Sequence, residues 1–164
     1  MTLTLIVLAG CGRSNAPSAG ASPTDTLSFE MLEDTTGLSQ GDALLADFEV
    51  ARDRSGAVRA RGHLHLPDGT RVQITLSEPG VREPLARTQV VVRDGRFESV
   101  PMTGGEGGVP PGLYRVQLST YFDSSWQPPD VMAATGNGRT LRGPGVVRGN
   151  NGIAAFVHTE DHRL

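Results

Sequence analysis

The feature that most constrains the fold is a period-2 alternation of side chains that follows a Pro-Pro-Gly turn at residues 110–112. In the ten residues after this turn, one set of alternate positions holds Tyr114, Val116, Leu118, Thr120 and Phe122. The other set holds Leu113, Arg115, Gln117, Ser119 and Tyr121. This pattern predicts a β-strand with one buried face. We expect it to be the central strand of a β-sandwich.

Other segments repeat this pattern between turn signals. Strands are predicted at residues 48–52, 58–66, 72–76, 89–93, 96–100 and 153–158. Residues 53–56 suit a tight turn, and Asp94-Gly95 predicts a two-residue hairpin between the fourth and fifth of these strands. Asn137-Gly138 and Asn151-Gly152 predict two more hairpins. The sequence therefore predicts an all-β, antiparallel, immunoglobulin-like sandwich of about seven to nine short strands over residues 44–164.

The N-terminus combines a short apolar run with the only cysteine. Residues 1–10 fall far below the ~20 residues needed to span a bilayer, so we predict a cleaved signal peptide. Leu8-Ala9-Gly10-Cys11 resembles the lipobox of bacterial lipoproteins. The resemblance implies that the mature chain begins at Cys11, which carries diacylglycerol and an N-acyl chain such as palmitate. It also implies attachment to the cell envelope by lipid, at the outer membrane or its periplasmic face in a Gram-negative host.

Two segments separate Cys11 from the predicted sandwich. Residues 11–26 are rich in Ser, Ala, Pro and Gly with little apolar bulk, which predicts a flexible tether. Residues 27–43 form a connecting segment whose pattern suits either a short strand or one helical turn.

A second resemblance concerns the sandwich itself. Asp94-Gly95-Arg96-Phe97, followed by residues 110–116, resembles the D-G-x-F and P-P-G-x-Y-x-V patterns of carboxypeptidase-regulatory-like and transthyretin-like domains. It extends over about residues 62–122 and implies an immunoglobulin-like fold. Because those domains are usually non-catalytic, the resemblance implies a binding or structural module.

The net charge and the absence of catalytic motifs exclude some classes of function. The net charge is −3, and we expect no nucleic-acid partner because phosphate backbones require concentrated positive charge. No G-x-S-x-G, H-E-x-x-H or C-x-x-C motif occurs in the sequence, so we predict no catalytic role and no cofactor besides the lipid on Cys11. The expected partners are the membrane and an envelope protein or polysaccharide.

Two groups of residues are candidate binding sites. His63 and His65 are two residues apart on a predicted strand, so both can face one metal ion, with His158 as a further ligand. Otherwise these histidines belong to a solvated strand face, and residues 158–162 form a polar, frayed C-terminus. Trp126, with Tyr121 close by, can stack on a sugar ring if its loop exposes it. Otherwise Trp126 caps the core.

Overall fold

In the computed structural model, which describes residues 44–164, eight strands form two antiparallel sheets. The elements are β1 (Leu45–Arg52), β2 (Val58–Leu64), β3 (Arg71–Ser77), β4 (Ala86–Val91), β5 (Arg96–Glu98), β6 (Leu113–Tyr121), α1 (Pro129–Ala134), β7 (Val146–Arg148) and β8 (Ala154–Arg163). Sheet A has three strands in the order β1-β2-β5, and sheet B has five in the order β4-β3-β6-β8-β7. The predicted all-β sandwich is confirmed.

The predicted signal peptide, Cys11, the tether over residues 11–26 and the connecting segment over residues 27–43 all lie outside the described residues. Within residues 44–164, no helix is long and apolar enough to cross a membrane.

The strand predicted to be central occupies the middle of sheet B. β6 lies between β3 and β8, and its burial follows the alternation except at Ser119, which is buried although it belongs to the outward set. Tyr114, Val116 and Leu118 face the core, where Val116 is paired with Leu76 of β3 and Leu118 with Ile74. The apolar half of the pattern thus forms one wall of the core.

Phe48 connects the two sheets. Its ring is 6.2 Å from that of Phe97 in sheet A, and 5.7 Å from those of His158 and His162 on β8 of sheet B, measured between ring centroids. β1 therefore lies over β8. The pairing of β1 with β2 is irregular between Leu45 and Asp47, where a bulge shifts the register.

The Asp94-Gly95 turn is confirmed, but the strand pairing predicted around it is wrong. Asp94 and Gly95 have positive φ angles of 50° and 71°, and Arg93 and Arg96 exchange two backbone hydrogen bonds of 2.8 Å. Beyond this bridge the strands separate, because β4 pairs with β3 and β5 pairs with β2. The turn carries the chain from sheet B to sheet A.

The two Asn-Gly pairs have different roles. Asn151-Gly152 lies between β7 and β8, so this predicted hairpin is confirmed. Asn137-Gly138 follows α1 instead, and the Asn137 amide donates a 2.7 Å hydrogen bond to the Met132 carbonyl. The hairpin predicted there is wrong, because the positive φ angles of both residues, 57° and 76°, also suit a helix end.

The C-terminal residues are paired, and the prediction of a frayed terminus is wrong. β8 runs to Arg163 and follows β6 in register from Tyr121 opposite Ala155 to Leu113 opposite Arg163. Beyond the strand, Leu164 and Gly112 exchange two backbone hydrogen bonds of 2.9 Å. The polar residues near this end had suggested fraying, but the central strand supplies a partner for the whole segment.

Candidate functional site

The outer face of sheet B carries uncharged polar side chains across its middle. Strand register places Gln89, Gln73 and Ser119 in one row, and Thr75, Gln117 and Thr159 in the next. We call these six residues the amide face. The residues that alternate with them along the strands, such as Ile74 and Leu118, are fully buried, so the amide face lies on the side of the sheet away from the core. Ser119 is only 2% exposed, and the other five residues provide the accessible surface.

An aromatic pair borders the amide face. Tyr121 follows Ser119 by two residues on β6 and therefore lies on the same face. The Trp126 ring contacts the Tyr121 ring edge-to-face, with centroids 5.5 Å apart and an interplanar angle of 63°. Both side chains are half-buried. The structure thus brings together the two aromatic residues that the sequence singled out.

The loop that carries Trp126 is fixed by its neighbour Gln127, which is 3% exposed. Its Oε1 accepts a 3.0 Å hydrogen bond from the Arg71 amide. Its Nε2 is 2.9 Å from the Arg71 carbonyl oxygen, 2.8 Å from Thr120 Oγ1 and 3.0 Å from the Tyr121 carbonyl oxygen. Gln127 was not predicted to be important, since nothing in the local sequence indicates that a glutamine between a tryptophan and two prolines is buried.

Two further contacts hold the same loop. The Arg71 guanidinium donates a 2.9 Å hydrogen bond to the Trp126 carbonyl oxygen. The Asp123 carboxylate accepts hydrogen bonds from the Ser125 hydroxyl and, at 2.8 Å, from the Ser125 amide. These bonds to the charged form, chiefly that of the hydroxyl, lower the pKa of Asp123 below its usual value of 3.8. The aromatic pair is therefore positioned before any ligand binds.

His63 and His65 lie close together, with ring centroids 5.8 Å apart. His63 is half-buried and His65 exposed, while Leu64 and Leu66 beside them are buried. His158 lies in the other sheet, where its ring contacts Phe48. Within residues 44–164, no three His, Cys, Asp or Glu side chains form a group suited to a metal ion.

A different histidine pair flanks a glutamate on β8. Glu160 Oε2 is 3.6 Å from His158 Nε2 and 3.4 Å from His162 Nε2. Both nitrogens are buried, and neither has a hydrogen-bond partner among the described residues. The His162 side chain is only 18% exposed, which again shows that this segment is packed.

The outer face of sheet A is charged. Register places Asp47, His63, Arg96 and Arg93 in one row across three strands and the Asp94-Gly95 turn. In the next row, Glu49 accepts a 2.7 Å hydrogen bond from the Arg61 guanidinium. A cavity of about 790 Å³ lies over these side chains.

The sandwich therefore presents two outer faces of different chemistry. On sheet B, the amide face is bordered by the aromatic pair at one end and by charged residues elsewhere, namely Arg87 beside Thr75 and the Arg115–Asp161 ion pair. The outer face of sheet A is rich in ions. Comparison with known protein families, with curated proteins and with solved structures found no match for this chain. What the chain binds is therefore inferred from the chemistry of these two faces.

Proposed function

We propose that this chain is a lipid-anchored, non-catalytic binding module of the cell envelope, and that it binds a neutral polysaccharide on the amide face. The observation that carries the proposal is the position of the Tyr121–Trp126 pair beside the amide face of sheet B. The metal-binding alternative has less support, because His63 and His65 lack a third ligand among the described residues.

The chemistry of the amide face suits sugar hydroxyls. Glutamine amides and serine or threonine hydroxyls both donate and accept hydrogen bonds, as sugar hydroxyls do, and they impose no charge. Gln73 and Gln117 are half-buried, which restricts their rotamers, and Gln89 is exposed. From β4 to β8 the face spans three strand spacings, or about 14 Å. This length suits a chain of several sugar units better than a single sugar.

The aromatic pair supplies the apolar part of the surface. The C–H face of a sugar ring packs on an aromatic ring, and Trp and Tyr combine a large apolar body with a polar group that can hydrogen bond. Because Gln127 holds the Trp126 loop in place, little conformational entropy is lost when a ligand orders the indole. Preorganisation of this kind favours affinity for a weakly interacting neutral polymer.

The location rests on the N-terminal sequence. The lipobox Leu8-Ala9-Gly10-Cys11 supports cleavage before Cys11 and lipid attachment there. We expect the full chain expressed in a bacterium to begin at Cys11, to carry added acyl mass and to partition into detergent. A Cys11→Ser variant is expected to remain in the aqueous phase without added mass. Identical mass and partition for both chains would contradict the lipid anchor.

The ligand is tested by affinity electrophoresis of the full chain through gels that contain a neutral glucan. We expect the glucan to retard the wild type, Gln117→Ala to weaken the retardation several-fold, and Trp126→Ala to abolish it. Leu113→Ala is the matched control, because Leu113 is exposed on the same face of β6, four residues from Gln117.

Two results would overturn the polysaccharide proposal. One is a mobility that no neutral glucan changes. The other is equal retardation of the wild type and Trp126→Ala. A gel that contains an acidic polysaccharide serves as the comparison, and stronger retardation there would contradict a neutral ligand.

A further inference from the structure

The cavity over sheet A has features that the proposed polysaccharide face does not use. It lies at the corner where the Asp94-Gly95 turn joins β4 to β5, and its volume of about 790 Å³ falls in the range typical of small-molecule sites. Val91, which is 41% exposed, contributes apolar surface to its lining, whereas the rings of Phe48 and Phe97 point into the core between the sheets. Gly62 also lines the cavity, and because it has no side chain, the Phe97 ring lies directly against it.

Two of the three carboxylates that line the cavity are paired with arginines of the same sheet. Glu49 is 2.7 Å from an Arg61 guanidinium nitrogen, and Glu98 is 3.9 Å from one of Arg59. The third, Asp47, is next to His63 in the register and lies two strands away from Arg96. The negative charges of Glu49 and Glu98 are therefore balanced by arginines at one side of the cavity.

Positive charge at the other side is not balanced. Arg93 and Arg96 lie directly opposite each other across the turn, an arrangement that is unfavourable for like charges. Both side chains line the cavity and both residues are exposed. Among residues 44–164, neither guanidinium has a hydrogen bond or an ion pair.

His63 adds a third nitrogen donor beside these arginines. Its ring packs over the turn, and Nε2 is only 2.6 Å from the point that a Cβ atom on Gly95 would occupy. It also pairs with Arg96 in the strand register. Arg93, Arg96 and His63 are thus neighbours at the turn, and all three line the cavity.

We infer that this cavity binds a small molecule that carries a dianionic oxygen group, such as a phosphate monoester, on an apolar body. Two guanidinium groups match the charge of a dianion and can each form paired hydrogen bonds to its oxygens. The ligand relieves the repulsion between Arg93 and Arg96, while its apolar body packs against the exposed side chain of Val91. This site is separate from the amide face and does not depend on the proposed polysaccharide.

The test uses phenyl phosphate as the probe, with inorganic phosphate as the comparison, in calorimetric titrations of the full chain at low salt. We expect saturable binding of phenyl phosphate, at least tenfold tighter than that of inorganic phosphate. Arg93→Gln and Arg96→Gln are each expected to weaken it at least tenfold. Added salt is expected to weaken it as well, because exposed charges are screened.

Arg54→Gln is the matched control, since Arg54 is exposed in the turn at the other end of β1 and removal of its charge changes the net charge equally. Absence of saturable binding, or equal weakening by Arg54→Gln, would overturn the inference. Equal affinity for the two phosphates would also overturn it, because the apolar surface would then contribute nothing. Arg93 and Arg96 are both exposed, so their variants keep the fold, which circular dichroism verifies.

Discussion

At the level of single residues, Gln127 shows how one buried amide organises a loop. Its side chain pairs with both backbone polar groups of Arg71 and with the Tyr121 carbonyl. These backbone groups lie beside the core, where an unpaired polar group costs free energy. The rigidity of the Trp126 loop therefore depends on a residue that does not contact the proposed ligand.

We predict that Gln127→Leu lowers the free energy of unfolding by about 2 kcal/mol, because the Arg71 amide and the Tyr121 carbonyl lose the Gln127 side chain as a partner. The Arg71 carbonyl keeps its hydrogen bond from the Thr120 hydroxyl. Urea denaturation measures the change. Gln89→Leu is the control, since Gln89 is exposed on β4, and we expect it to change stability by less than about 0.5 kcal/mol. Equal effects of the two variants would contradict the role of Gln127.

Asp123 makes the same loop sensitive to acid. Its pKa is lower in the folded chain than its usual value of 3.8, since Ser125 donates hydrogen bonds to the charged form. The stability that these bonds contribute is complete above the unfolded pKa of about 4 and is lost as the pH falls through the lower folded pKa. We expect the fluorescence of Trp126, the only tryptophan, to change below pH 4.

Two variants test this assignment. Asp123→Asn removes the titrating group and is expected to abolish the fluorescence change. Ser125→Ala removes the hydroxyl that lowers the pKa most, so the midpoint is expected to move to higher pH. A change that persists in Asp123→Asn would show that another group titrates near the indole.

The positions of single residues could be predicted where they depend only on nearby residues in the sequence. Leu64 and Leu66 are buried and His65 is exposed, as the alternation indicates. The proximity of Trp126 to Tyr121 follows from their short separation along the chain. The two contacts between Gln127 and Arg71 were not predictable, because Arg71 lies 56 residues away and nothing nearby in the sequence indicates this pairing.

Among the elements, the Asp94-Gly95 turn shows which features the local sequence determines and which depend on strands far away in the chain. The two residue types specify positive φ angles, and the structure has them. Which strands pair afterwards depends on β2 and β3, since pairing with them buries Phe97 and Val90. The same limit applies to Asn137-Gly138, whose preferred backbone angles serve a helix end here.

We predict that Gly95→Ala destabilises the chain by more than the roughly 1–2 kcal/mol that a positive φ angle costs an L-residue. The excess arises because the new Cβ would lie 2.6 Å from His63 Nε2. Gly152→Ala is the matched control, since Gly152 has a φ of 76° and no atom within 4 Å of the Cβ position. Urea denaturation of both variants gives the difference.

A double variant isolates the contact with His63. In the His63→Ala variant, the added Gly95→Ala substitution is expected to lower the free energy of unfolding only by the cost of the positive φ angle. If the cost of Gly95→Ala is the same with and without His63, the imidazole does not restrict the turn.

For the whole molecule, Phe48 is a link between the sheets that the sequence indicated only as a strand residue. We predict that Phe48→Ala lowers stability by about 2–3 kcal/mol, since the ring is half-buried and contacts Phe97, His158 and His162. Thermal unfolding measures the loss. Val100→Ala is the control, because Val100 is 62% exposed and its truncation is expected to have little effect.

The architecture as a whole followed from the alternating segments, since an apolar face on each strand must be covered by a second layer. Which strands pair with each other could not be predicted from these segments. Sheet A combines β5 with β1 and β2, although β5 comes after β4 along the chain. The candidate faces depend on this arrangement, because only the register places Gln73, Gln89 and Gln117 side by side.

The edges of the two sheets are poor templates for aggregation. β5 and β7 are edge strands of three residues each, and the bulge near Leu45 interrupts the pairing of the edge strand β1. Short or bulged edges offer few aligned backbone groups to another chain. Of the described strands, β4 is the longest edge without a bulge, and it carries the charged Arg87. Molecules of this fold can therefore be crowded on a surface without polymerising through their sheets.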